Sequence, residues 1–145
     1  MKNSFSEIKL SYNPIKFAKI QSSRDIEQFL RLNWDNDTMH FCEEFKVLLL
    51  NNSLEIIGFR TISRGGITFS PVDVRILFSL ALKSLSTAII VAHNHPSGKL
   101  LPSQQDRDMT SKIKEGCKIL DIQLIDHLIL SPEGGYFSFA DDGCL

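Results

Sequence analysis

One stretch constrains this chain more than any other: TAIIVA (87–92) runs without a polar interruption after its first residue straight into HNHPSG (93–98). A strand with one wet face alternates apolar and polar residues. A continuous apolar run of this length, closed by turn-forming residues, is a strand covered on both faces. Such a strand belongs in the middle of a sheet with helices packed against it. The carboxyl ends of strands are where α/β sheets hold their ligands. Here that end carries His93 and His95, two apart and therefore on one side of an extended chain.

The rest of the chain supplies the neighbours that a central strand needs. EIKLSY (7–12) alternates and predicts an edge strand. SSRDIEQFLRLNW predicts a short helix capped by Ser22 or Ser23, with Ile26, Phe29 and Leu30 as its buried stripe. FKVLLL (45–50) and EIIGFRTI (55–62) read as two strands joined by an Asn-Asn-Ser turn, with SRGG after them. SPVDVRILFSLALKSL (70–85) predicts a helix with Ser70 at the N-cap and Pro71 at the first turn. Val74, Leu77, Phe78, Ala81 and Leu85 form its apolar face. A second helix is expected from about Ser103 to between Gly116 and Asp121, then strands at 122–130 and 136–139. Helices interspersed among strands throughout predict an α/β fold: a single domain over 1–145, its mixed β-sheet flanked by helices, with 1–21 as an N-terminal arm.

Composition narrows the class of function. A net charge of −1 over 145 residues offers no global basic field, so nucleic-acid binding has no support from charge. Cys42, Cys117 and Cys144 are scattered and odd in number, which points away from a disulfide framework and toward a reducing, cytoplasmic setting. No apolar run reaches bilayer-spanning length, so no membrane partner is expected. The sequence leaves the oligomeric state open.

Asp106 joins the two histidines by position. Residues 106, 109, 113 and 117 share one helical face, and three of them are Met109, Ile113 and Cys117. Asp106 thus heads an apolar stripe, and a carboxylate placed there needs a cation or strong donors. Two imidazoles and a carboxylate converging from a strand end and a helix start form a three-ligand set of the kind a catalytic zinc uses, with one position open. Ser-Gln-Gln-Asp (103–106) is equally a capping box, Ser103 at the N-cap and Asp106 at N3. The combination of His-x-His, seven residues and Ser-x-x-Asp is far more specific than either part. A zinc-activated water needs a base, and Glu43 or Glu44 stands just before a buried strand. Glu43 alternates with Phe45, Val47 and Leu49, and Glu44 with Lys46, Leu48 and Leu50. Alternation alone favours Glu43 only weakly. Glu44→Gln is expected to be near neutral. Cys42 reads as a packing residue, and Lys112, Lys114 and Lys118 as partners of a helix dipole.

The set HNHPSG (93–98) and PSQQD (102–106), with EEF (43–45) upstream and IDHLIL (125–130) downstream, resembles the RadC branch of the JAB/JAMM (MPN+) metallopeptidase-like domains over about residues 40–145. The resemblance implies a JAB/MPN-like fold with cytidine-deaminase-like layering. It implies His93, His95 and Asp106 as ligands of one Zn²⁺ per chain, and Glu43 as the base. It also implies Ser103 as the residue assisting the tetrahedral intermediate. The implied reaction is hydrolysis of a peptide or isopeptide amide bond in a protein or peptide substrate. The competing class is a non-catalytic metal-binding accessory module associated with DNA repair. A zinc nucleobase deaminase would need His-x-Glu and Pro-Cys-x-x-Cys, which the sequence lacks. Asp126 and His127 match the family's Asp-His pair, read either as outer support for a ligand or as a self-satisfied pair at a sheet edge. Family members often carry a helix-hairpin-helix region, for which this chain has no room, and often read His-Pro-Arg-Glu where this chain has Ser-Pro-Val-Asp (70–73). That departure leaves the ligands untouched.

Overall fold

A computed structural model describes residues 19–65 and 71–145, so the expected strand at 7–12 and Ser70 lie outside the described residues. The elements in order are α1 (Ser23–Leu32), α2 (Asn36–Met39), β1 (Glu44–Leu50), β2 (Ile56–Arg64), α3 (Val74–Lys83), β3 (Ala88–Asn94), α4 (Gln104–Ile119), β4 (Gln123–Leu130) and β5 (Tyr136–Ser138). They form a mixed sheet in the order β2-β1-β3-β4-β5. β3 and β4 run parallel, and the other neighbouring pairs are antiparallel. This is the α/β fold with a mixed sheet that the sequence predicts.

Strand periodicity builds two cores. Phe45, Val47 and Leu49 of β1 with Ile89 and Val91 of β3 pack against Leu77 and Ala81 of α3 and Ile113 and Cys117 of α4. Leu48, Leu50, Ile90 and Ala92 face the opposite way, toward Ile26, Phe29 and Leu30 of α1. β1 and β3 are buried along their whole length, as a strand between two helix layers must be. His93 continues the odd-numbered side of β3 and so opens toward α4. Phe78 of α3 seats its ring on α4 at Gly116, where an added Cβ would lie 2.5 Å from it.

Two expectations need correction. The helix predicted over 70–85 starts later: Asp73 is its N-cap, accepting from the Arg75 backbone N–H at 2.9 Å, and Pro71 precedes the helix. An Asp side chain here supplies the capping oxygen, and the Arg75 guanidinium grips it at 2.8 and 3.0 Å. Leu85 does not join the apolar face. It lies beyond the helix with φ 55° and is 68% exposed. The short helix α2, capped by Asp35, has no counterpart in the sequence reading.

β4 carries an irregularity in its pairing with β3. Ile89 pairs with Leu124, but Ile90 pairs with Asp126, so Ile125 is an extra residue. A bulge of this kind reverses which face each later side chain occupies. Leu124 packs in the α4-side core, whereas Leu128 and Leu130 pack on the α1 side. His127, by strict alternation from Leu124 destined for the α1 side, instead faces α4.

Candidate metal centre

His93 is the penultimate residue of β3 and is buried, while His95 follows the strand. The backbone turns immediately after: Gly98 N–H donates to the His95 carbonyl at 2.9 Å, with Gly98 at φ 79°. A side chain at that φ would be strained. The turn brings the Lys99 carbonyl to 2.5 Å from His95 Nδ1. Across the gap, Ser103 and Asp106 form a complete capping box at the start of α4. Ser103 Oγ accepts from the Asp106 N–H at 3.1 Å, and Asp106 Oδ2 accepts from the Ser103 N–H at 2.7 Å.

The same carboxylate closes on both imidazoles. His93 Nε2 is 3.1 Å from Asp106 Oδ1, His95 Nε2 is 3.4 Å from Oδ2, and the two Nε2 atoms are 2.9 Å apart. One potential ligand atom from each residue lies within 4.8 Å of the others, a group that could hold a metal ion. Burial works against a charged His95, yet the Asp106 hydrogen bond, the Lys99 carbonyl and the charges of Asp106 and Glu43 raise its pKa above the usual imidazole value. Burial also disfavours ionised Asp106, but the two imidazoles beside it, a hydrogen bond from His95 and one from the Ser103 N–H hold its carboxyl far below the usual range. Asp106 is therefore an anion among nitrogens at neutral pH. The donor set, two imidazoles and one carboxylate with their inner atoms crowded together, fits a borderline metal such as zinc.

Glu43 and Ser103 share the setting. An open groove of about 660 Å³ is lined by Glu43, His95, Lys99, Leu101, Ser103 and Asp106, among others. A second, water-sized chamber of about 30 Å³ reaches inward between Glu43, His93, Asp106 and His127. Glu43 stands one residue before β1, and the Asn94 side chain fastens that segment. Asn94 Nδ2 donates to the Met39 and Cys42 carbonyls at 2.8 and 3.0 Å, and its Oδ1 accepts from the Glu44 N–H at 2.8 Å. Glu44 points the other way. It is fully buried against Lys46 Nζ at 2.8 Å and Arg64 Nε at 3.1 Å. Glu44 thus faces away from the candidate ligands, the premise on which Glu44→Gln is expected to be near neutral for zinc and turnover, although the substitution would cost stability by leaving the buried Lys46 without its anion. Cys42 packs as read, its thiol donating to the Gly65 carbonyl at 3.0 Å.

Asp126 and His127 divide between the two roles the sequence allowed. β4 is an interior strand, so neither lies at a sheet edge. Asp126 is self-satisfied: its carboxylate accepts from the His127 and Ala140 N–H groups and from Ser138 Oγ, and so ties β4 to the residues around β5. His127 reaches the candidate ligands, its Nε2 lying 2.8 Å from His93 Nδ1. Complete burial pushes its pKa well below the usual value and keeps it neutral. Three participants escaped the sequence reading: Thr110, bonded to His127, Asn94, and the Ile125 bulge. Thr110 follows Asp106 by one helical turn, a spacing that would have flagged it.

The chain is similar in sequence to several known proteins. A UPF0758 protein of Flavobacterium johnsoniae is 45% identical over 129 residues, covering 89% of this chain and 55% of that protein. A UPF0758 protein of Porphyromonas gingivalis is 48% identical over 103 residues, covering 71% and 45%. One from Symbiobacterium thermophilum is 33% identical over 138 residues, covering 95% and 57%. The chain thus spans about half the length of the curated relatives it matches. The model of the RadC-like JAB domain matches residues 20–144. With strand end, helix start and paired imidazoles arranged as described, the chain belongs to the RadC-like JAB domain family.

Proposed function

We propose that this domain is a zinc-dependent hydrolase of peptide or isopeptide amide bonds. The observation that carries the reading is that His93, His95 and Asp106 converge on one point beside an open groove that Glu43 and Ser103 also line. In this reading one Zn²⁺ is held by those three residues, with protein or peptide as substrate in a cytoplasmic setting. A bound zinc supplies Lewis-acid polarisation of the scissile carbonyl and acidifies water from about 15.7 toward about 7.

The chain's own residues supply the rest. Glu43, on the α4 side of the sheet, accepts the proton of the attacking water and delivers it to the leaving amine. Ser103 keeps its lone pair on the Asp106 N–H and so has its own proton free to stabilise the developing oxyanion. Asp106 serves the helix with its Ser103 contact and the site with its face toward the histidines. In this reading the substrate lies in the groove that Glu43, Pro96 and Leu101 line.

The test pairs zinc content with turnover on a panel of peptide and isopeptide-linked fluorogenic amides. Glu43→Gln retains stoichiometric zinc and loses about 10²–10⁴-fold of hydrolysis, the usual worth of a general base. Turnover unchanged in Glu43→Gln removes Glu43 from the mechanism. A zinc-loaded wild-type chain that hydrolyses none of the panel is instead a metal-binding module.

A further inference from the structure

We propose that Thr110 and His127 are positioning residues that fix the His93 ring in the one tautomer whose Nε2 lone pair faces Asp106 and His95. The inference rests on the metal reading above and concerns how the chain prepares one ligand for it.

A single proton sets the arrangement. Thr110 Oγ1 lies 2.6 Å from the Asp106 carbonyl and 2.6 Å from His127 Nδ1. The carbonyl can only accept, so the threonine's one proton goes there. Thr110 Oγ1 must then accept from His127, which places a proton on His127 Nδ1. His127 is fully buried between aromatic rings, stacked on Phe139 at 4.7 Å and edge-on to Phe45 at 5.6 Å, a setting for a neutral imidazole. With its proton on Nδ1, its Nε2 is a bare acceptor. That acceptor lies 2.8 Å from His93 Nδ1, which must donate to it. His93 Nε2 is left bare, and it is the atom facing Asp106 and His95.

The wiring is closed at its far end. It runs from His93 through His127 and Thr110 to the backbone of Asp106, so the side chain of one candidate ligand is oriented by the main chain of another. His95 is prepared separately, by the Lys99 carbonyl of its own turn. Outer partners that set an imidazole's tautomer are a general device of metal sites, and losing one typically costs about 10–100-fold in metal affinity. The Ile125 bulge is what makes the relay reachable, because without it His127 would face α1.

The test reads protons directly. Histidine ring nitrogens of the nitrogen-15-labelled protein are followed by long-range proton–nitrogen correlation in mildly alkaline solution, metal-free and zinc-loaded. Wild-type His127 is expected as the Nδ1–H tautomer in both forms, the opposite of the form free histidine prefers. A through-bond nitrogen–nitrogen coupling should join it to a His93 ring protonated at Nδ1. Thr110→Val, which keeps the volume and removes the acceptor, should shift His127 toward Nε2–H and weaken zinc binding by about 10–100-fold. Thr110→Ser should restore both. His127 found as Nε2–H in the wild type, or Thr110→Val with unchanged tautomer and zinc affinity, overturns the proposal. The two readings separate cleanly. The expected tautomers in a chain that takes up no zinc refute the metal reading alone. The opposite tautomer in a chain that binds zinc stoichiometrically refutes the relay alone.

Discussion

The domain contains the same local device twice. At α1, Ser22 Oγ accepts from the Asp25 N–H while Asp25 Oδ2 accepts from the Ser22 N–H. At α4, Ser103 and Asp106 repeat the exchange. Both boxes satisfy orphan donors of a first helical turn. The carboxylate at α1 meets the backbone of Gln21 and Ser22, and that at α4 also meets two imidazoles. Nothing in the four residues makes one a cap and the other a candidate ligand. The difference is what the fold sets opposite: the carboxyl end of a central strand stands across from α4. A metal centre can therefore be built on a helix start without giving up its stabilising role.

The largest expected effect separates the two acids. Asp106→Ala should abolish stoichiometric zinc, read by elemental analysis of the purified chain, whereas Asp25→Ala should leave it intact. Equal zinc in both variants would end the distinction. The serines come next. Ser103→Ala should cost about 1 kcal/mol of stability as a lost cap, and about 10²–10³-fold in turnover as a lost oxyanion donor. Ser103→Gly should recover the cap to within a few tenths of a kcal/mol without recovering turnover. Ser22→Ala should destabilise without touching catalysis. Denaturant melts beside kcat/KM decide the matter: activity that returns with stability in Ser103→Gly reduces Ser103 to a cap.

The smallest effect is in pH. In the metal-free chain, protonated His95 against Asp106 stabilises the fold below the ordinary imidazole value of 6.5, and that contribution is lost as pH rises through its raised pKa. Zinc needs the same nitrogen bare, so its stabilisation should grow over that window. Tm against pH should slope in opposite directions with and without zinc, and parallel slopes would contradict the assignment. The box at α1 behaves differently: the lowered pKa of Asp25 contributes above 3.8 and is lost only in acid, as pH falls through its folded value.

Much of this was legible in the sequence because it is periodic or local. The continuous run at Ala88–Ala92 announced a doubly covered strand. Helical spacing turned Asp106 inward, while alternation only placed Glu43 and Glu44 on opposite faces and the family resemblance chose between them. What escaped was tertiary or register-dependent. Ile125 breaks the alternation of β4 without a glycine or proline to mark it, so His127 could not be aimed from its position alone. Asn94 sits between two conspicuous histidines and looks like a spacer, although its amide reaches residues about fifty positions away. Ser70 made a plausible cap until Asp73, with Arg75 to hold it, competed for the same helix start.

The parallel pairing of β3 with β4 has a consequence for how the centre is assembled in time. His93, His95, Asp106, Thr110 and His127 all belong to one strand–helix–strand unit spanning 88–130, whereas Glu43 enters with β1, an antiparallel neighbour from earlier in the chain. Closing that unit requires a crossover of the chain through α4 before any β3–β4 bond forms, a slow step in folding terms. Once it closes, every candidate ligand and its outer support is present in a contiguous piece of chain. The proposed base, Glu43, lies outside that unit, on the segment leading into β1, so the candidate ligand set rests on the crossover unit and the proposed base on the seam between β1 and β3.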